Sequence, residues 1–159
     1  YTEEMCNEMK RLVPMADILT PNLTEASILL DTPYPGQSIS PEQGEAISKA
    51  LLDMGAKHVV LKGIERDKTI YNAVMGQNLA YRESPHALHE VSLHGTGDLL
   101  ASCLTAGIFS GHSLEDSVIF SANLVYRAID LSTSQPDFQR RGVNYEPLMV
   151  DISRFCLNL

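Results

Sequence analysis

Apolar residues fall along this chain in alternating helical and extended patterns. After Ser113, the residues Leu114, Val118, Ile119, Ala122, Val125 and Ile129 recur at three- and four-residue steps, the spacing of a helix with one stripe turned toward a core. A second amphipathic stretch follows Ser40. There Pro41 takes the first helical position, Ser40 and Gln43 make a capping box, Ile47, Leu51 and Leu52 supply the stripe, and Gly55 ends it. Thr2 caps a first helix through about Val13, with Glu3 and Glu4 in its first turn, Lys10 and Arg11 near its end, and Pro14 as its stop. The short runs Ala16–Thr20 and Lys57–Lys62 read as strands. Between them Asn22 opens a turn, Ala26–Leu30 is a short helix, and the prolines and glycine of Asp31–Gly36 mark a loop.

Strand, turn, helix and strand in that order make a βαβ unit, which predicts two parallel neighbours in a sheet with a helix packed on one face. The second strand is expected to end at Gly63. Beyond it, Thr69–Met75 and Leu79–Ser84 flank Gly76-Gln77-Asn78 as a hairpin. His89–Leu93 is expected to be a last strand, leading into a buried helix over Asp98–Ser110 that Gly111 closes. Ser132–Arg141 reads as a polar loop, and the chain from Glu146 as helical. The fold class is α/β.

The 159 residues suffice for one domain with a core, and 44% hydrophobic against 20% charged residues is the balance of a folded globular chain. A net charge of -8 disfavours nucleic acid or an anionic membrane as partner, since both demand a clustered basic surface. The longest apolar run, Leu99–Phe109, is broken by Ser102 and Thr105 and falls far short of the roughly 20 residues that cross a bilayer. No cationic and then apolar leader opens the chain. Cys6, Cys103 and Cys156 are odd in number and lack zinc-ligand spacing, which points to a reducing cytoplasm, with Cys103 a packed small hydrophobe.

The chemistry concentrates in Ser92-Leu-His-Gly-Thr-Gly-Asp-Leu-Leu-Ala-Ser102, where two glycines and an aspartate stand at the first turn of an apolar helix. Small residues let backbone approach a ligand, and the first amides of a helix point outward with the positive end of the dipole behind them, so the segment suits an anion. Asp98 then faces whatever those amides hold, as a general base for an attacking hydroxyl would in phosphoryl transfer. Read alone, the string is equally an ordinary loop with a carboxylate complementing the dipole. Lys62, beside Gly63 at a strand end, has the point charge to reach a phosphate and reads almost as well as a solvated lysine. His58, His86, His89 and His112 show no metal-ligand spacing.

Thr20-Pro21-Asn22-x-x-Glu25, the strand ending in Lys62-Gly63, and His94-Gly95-Thr96-Gly97-Asp98-Leu99, taken in that order, resemble the carboxy-terminal half of the ribokinase-like small-molecule kinases, closest to the bacterial pyridoxal kinases. The tail Arg141-Gly142-Val143-Asn144-Tyr145-Glu146 resembles the end of those enzymes. The resemblance implies a Rossmann-like, ribokinase-type fold with a mostly parallel sheet flanked by helices, in which ATP and Mg2+ serve to phosphorylate the primary hydroxyl of pyridoxal, pyridoxine or pyridoxamine. It assigns Asp98 to deprotonate that hydroxyl, and Gly95, Thr96 and Gly97 to stabilise the transferring phosphoryl through their amides. Asn22 and Glu25 are assigned to magnesium and its waters, though their spacing is also that of a helix capping box. Asn123 is placed at the adenine pocket by the resemblance alone.

The related hydroxymethylpyrimidine kinases share the His-Gly-Thr-Gly string but usually carry cysteine where this chain has Asp98, a departure that favours the pyridoxal type. Members of the family are longer, and the missing portion would precede Tyr1. Residues 1–159 are therefore expected to be the carboxy-terminal, ATP-binding portion of a single kinase domain, inactive alone and paired as a homodimer or with its amino-terminal portion. The rivals are a hydroxymethylpyrimidine or carbohydrate kinase of the same superfamily and a non-catalytic nucleotide-binding remnant.

Overall fold

Residues 2–159 are described in the computed structural model, and they divide into two compact units, one ending at His86 and the other running from Ala87 to Leu159. In the first unit, α1 (Glu3–Leu12) starts where the Thr2 hydroxyl accepts the Met5 amide at 3.3 Å, and Pro14 falls in a 3-10 turn, Val13–Met15, that stops it. β1 (Ile18–Leu19), α2 (Leu23–Leu30), α3 (Pro41–Asp53) and β2 (His58–Arg66) follow. β1 and β2 run parallel, with Ile18 opposite His58 and Leu19 opposite Val59, so the βαβ unit forms as its sequence predicts. Ser40 and Gln43 close the α3 capping box from both sides.

β2 does not end at Gly63. It bulges there between Leu61 and Ile64, with Gly63 at φ +74°, and the buried Asn72 side chain accepts the Gly63 amide at 3.2 Å. The strand then continues to Arg66 and turns back through Asp67 and Lys68, both left-handed at φ 48° and 61°, into an antiparallel β3 (Thr69–Gly76). Consecutive left-handed residues match the twist of a tight hairpin. β4 (Leu79–Ala87) completes a sheet of order β1-β2-β3-β4. The sheet within this chain is mixed rather than mostly parallel, because two of its three connections are hairpin turns that return the chain antiparallel.

Val59, Val60, Leu61 and Ile64 are fully buried, as suits a strand covered on both faces, and Val59, Leu61 and Ile64 pack with Leu51, Ile39 and Ala73. Arg66 pairs with Glu83, which also accepts the Tyr81 hydroxyl at 2.7 Å, while the guanidinium lies 4.2 Å from the Tyr71 ring centroid. These contacts tie the end of β2 to β4. Burial and the Glu83 carboxylate push the Tyr81 phenol up.

His89–Leu93 forms no strand. β4 instead extends through Pro85 to Ala87, a proline tolerated because β4 is an edge strand. The residues after it are irregular, with the Val91 amide donating to His89 Nδ1 at 3.3 Å.

The second unit is helical. α4 (Thr96–Phe109) and α5 (Leu114–Thr133) are joined by a short turn through Gly111, and Ser113 caps α5. A methyl at Gly107 would meet Ser117 Oγ at 2.5 Å and Phe155 Cε1 at 2.9 Å, so this mid-helix glycine permits the two helices to approach. α5 outlasts its expected end and only Ser134–Asp137 separate it from a four-residue helix, α6 (Phe138–Arg141); Ser132 and Thr133 bond back to carbonyls of α5 and prolong it. A 3-10 turn, Glu146–Leu148, leads into α7 (Met149–Leu157). Leu99, Cys103, Leu124, Ala128 and Leu148 form the core of this unit, with Val143 and Ile152 packed against it. Among the described residues no helix is long and apolar enough to cross a membrane.

Candidate phosphoryl-transfer site

α4 begins without the usual cap. Gly95 holds the N-cap position at φ +88° and ψ -5°, a left-handed conformation that glycine adopts without steric cost, and it has no side chain to take up the first amides. Its carbonyl accepts the Leu99 amide at 2.9 Å, which closes the first turn. The Thr96 hydroxyl donates to the Leu93 carbonyl at 3.1 Å, so that side chain braces the loop instead of capping the helix. Asp98 is the third helical residue, and its side chain is exposed.

A cavity of about 690 Å³ opens beside this turn. Gly95, Asp98, Ser102, Arg140 and Arg141 give it polar edges, and Met149 and Ile152 of the second unit line its apolar side. Two arginines thus line the cavity that the positive end of α4 also meets, an arrangement that favours an anion. Cys103 lines the same cavity, but burial pushes its thiol up to about 11, so it is a packed hydrophobe and no thiolate nucleophile. Sequence reasoning gave Arg140 and Arg141 no role. Their signal was the Arg-Arg-Gly string, whose glycine marks a tight turn without saying where the turn points.

In the first unit, Asn22 caps α2. Its Oδ1 accepts the Glu25 amide at 2.8 Å, and Glu25 Oε2 accepts the Asn22 amide at 2.8 Å. Both residues therefore do have the capping role, whatever else they do. Glu25 is exposed, and its Oε1 has no partner among the described residues. Asn22 stands opposite Lys62 as an isolated parallel bridge, and the Lys62 amide donates to the Pro21 carbonyl at 2.9 Å, so Asn22, Glu25, Lys62 and Gly63 are gathered beside the bulge in the middle of β2. No cluster of three or more His, Cys, Asp or Glu able to hold a metal occurs among the described residues. A lone exposed carboxylate still fits magnesium, which keeps most of its waters and takes its remaining oxygens from substrate phosphates. Asn123 lies on the exposed side of α5 and does not line the cavity.

Residues 1–143 match the family model described as phosphomethylpyrimidine kinase. The chain belongs to that family. The chloroplastic thiamine biosynthetic bifunctional enzyme of Arabidopsis thaliana is 33% identical over 126 residues, 77% of this chain and 23% of that protein. A Bacteroides thetaiotaomicron protein provisionally assigned as a phosphomethylpyrimidine kinase, crystallised with pyridoxal, superposes with a TM-score of 0.88 at 25% identity, over 96% of this chain and 55% of that one. The Staphylococcus aureus pyridoxal kinase in complex with AMP-PCP and pyridoxal gives a TM-score of 0.72 at 26% identity, over 81% of this chain and 48% of that one. The fold is the ribokinase-type α/β fold, and the family is one of phosphotransferases. The chain spans less than half the length of the curated relatives it matches.

Proposed function

We propose that the protein carrying this chain transfers the γ-phosphoryl group of ATP to the primary hydroxyl of a B6 vitamer, and that residues 1–159 are the nucleotide-binding portion of that kinase. The observation that carries the reading is the glycine-capped start of α4, whose first amides face ligand space with the Asp98 carboxylate beside them. In the step, the substrate oxygen bonds to phosphorus, the bond to the ADP oxygen breaks, and the hydroxyl proton passes to Asp98. The amides of Thr96 and Gly97 offset charge that develops on the transferring oxygens, as an oxyanion hole does. Glu25 would hold magnesium, and Asn22 its waters, when the metal is bound; magnesium supplies charge neutralisation on the phosphates. Lys62 and Asn123 are assigned to the nucleotide.

A second reading has support of its own. The family description and the plant thiamine enzyme favour hydroxymethylpyrimidine as the alcohol, whereas pyridoxal in the Bacteroides and Staphylococcus structures favours the vitamer. Asp98 in place of the cysteine usual in hydroxymethylpyrimidine kinases supports the pyridoxal reading. The test is a side-by-side assay of the complete gene product with ATP, magnesium and pyridoxal, hydroxymethylpyrimidine, ribose or fructose 6-phosphate. A higher kcat/KM for pyridoxal is expected. Preference for the pyrimidine would move the assignment to the second reading, and turnover of none would leave only a nucleotide-binding remnant.

A further inference from the structure

The tail segment after α6 is built around one residue that only glycine can be. Gly142 has φ +73° and ψ -161°, a region closed to side chains, and a Cβ there would meet the His94 carbonyl oxygen at 3.2 Å. The next residue explains the close approach. The Val143 amide donates to that same His94 carbonyl at 3.2 Å, and Val143 Cγ1 lies 3.4 Å from where a Cβ on Gly95 would be. One residue later, the Asn144 amide donates at 2.7 Å to Ser132 Oγ, which is buried and itself donates to the Ala128 carbonyl at 2.6 Å. Three consecutive residues therefore strap the last turns of α5 to the peptide that enters α4.

Backbone held in a glycine-only conformation persists where its surroundings over-determine it, and such positions gather at functional sites. We propose that Gly142–Asn144 is a positioning element of the phosphoryl-transfer site: it pins the His94 carbonyl, and with it the left-handed Gly95, so that the first amides of α4 are aimed into the cavity. The inference rests on reading those amides as the phosphate cradle. A donor array works only where its geometry is fixed before reaction, so loosening the strap lowers turnover more than binding.

Gly142→Ala in the complete gene product tests this against Gly111→Ala. Gly111 is also left-handed, at φ +89°, but has nothing within 4 Å of a Cβ and follows the opposite end of α4. Gly142→Ala should lower kcat roughly 10- to 100-fold with the KM values for ATP and the alcohol nearly unchanged. Gly111→Ala should strain its turn and leave kcat alone. Deuterium uptake over residues 94–104 gives a second readout that needs no catalysis, because the Leu99 amide is held by the Gly95 carbonyl. Faster uptake there is expected in Gly142→Ala and not in Gly111→Ala. Should Gly142→Ala fail to fold, Ser132→Ala removes the other anchor and is read in the same way. A kcat within twofold of the wild type, equal losses in the two glycine variants, or unchanged uptake would overturn the strap. Absence of kinase activity in the wild type would instead sink the functional reading while uptake still decides the strap.

Discussion

Replacing Asp98 by Asn removes one proton acceptor and one charge while keeping the shape of the side chain. The structure makes this a clean perturbation, since Asp98 is exposed and no hydrogen bond or ion pair holds its carboxylate among the described residues. Packing should therefore not change. The stability cost is the lost attraction between a first-turn carboxylate and the α4 dipole, about 0.3–1 kcal/mol. The catalytic cost is of a different order. A general base contributes on the order of 10²- to 10⁴-fold, which at 1.36 kcal/mol per decade is about 2.7–5.4 kcal/mol of transition-state stabilisation. The two effects separate in parallel measurements: steady-state turnover of pyridoxal with saturating ATP and magnesium, and urea unfolding of the same preparations. Asp98→Asn should lose at least about two decades of kcat with a small shift in unfolding midpoint and little change in ATP affinity. If kcat stays within about threefold of the wild type, the proton leaves by another route and Asp98 serves only the helix.

Two further outcomes follow from particular contacts. Glutamine also completes a capping box through its side-chain oxygen, so Glu25→Gln should preserve the α2 cap and its stability while raising the magnesium concentration needed for half-maximal turnover; an unchanged magnesium titration would leave Glu25 with the cap alone. An unfolded thiol ionises near pH 9 and the buried Cys103 near about 11, so the unfolded chain sheds its proton first, and stability that is fully present below pH 9 declines as the pH rises toward 11. The gap in urea midpoint between wild type and Cys103→Ala should therefore narrow between pH 9 and 10.5, and a constant gap would show that Cys103 does not experience its burial.

What the sequence disclosed was whatever depended on neighbours along the chain. The boxes at Asn22–Glu25 and Ser40–Gln43 and the βαβ order are written in local spacings and form as written, and the stripe of α5 forms except at Ile119, which is exposed while Leu124 and Ala128 turn inward. The end of β2 was not legible, because Gly63 reads as a stop when only local propensity is weighed, and its continuation depends on Asn72, nine residues away, accepting the bulged amide. His89–Leu93 failed for a related reason: its alternation suits a strand, yet β4 already occupies the edge of the sheet beside β3. The glycine-capped turn proposed as the phosphate cradle was visible as Gly95-Thr-Gly-Asp98. The strap that fixes it was not, since Gly142 and His94 are 48 positions apart and neither residue type announces the other.

The helix starts separate structural from functional chemistry. Thr2, Asn22, Ser40 and Ser113 each spend a side-chain oxygen on the first amides of α1, α2, α3 and α5, so those ends are satisfied from within the chain. α7 enters from a 3-10 turn whose Glu146 carbonyl takes the Met149 amide. Among the described residues α4 alone of the long helices begins at a glycine, and a serine there would gain about 0.5–2 kcal/mol as a cap in an ordinary helix. That stabilisation is forgone at the left-handed Gly95, and the peptide before it is instead held from outside the helix by the Val143 amide on the His94 carbonyl. In the proposed reading, a cap within the helix would fill the cradle, whereas a strap behind it fixes the same peptide and leaves the amides to the phosphate.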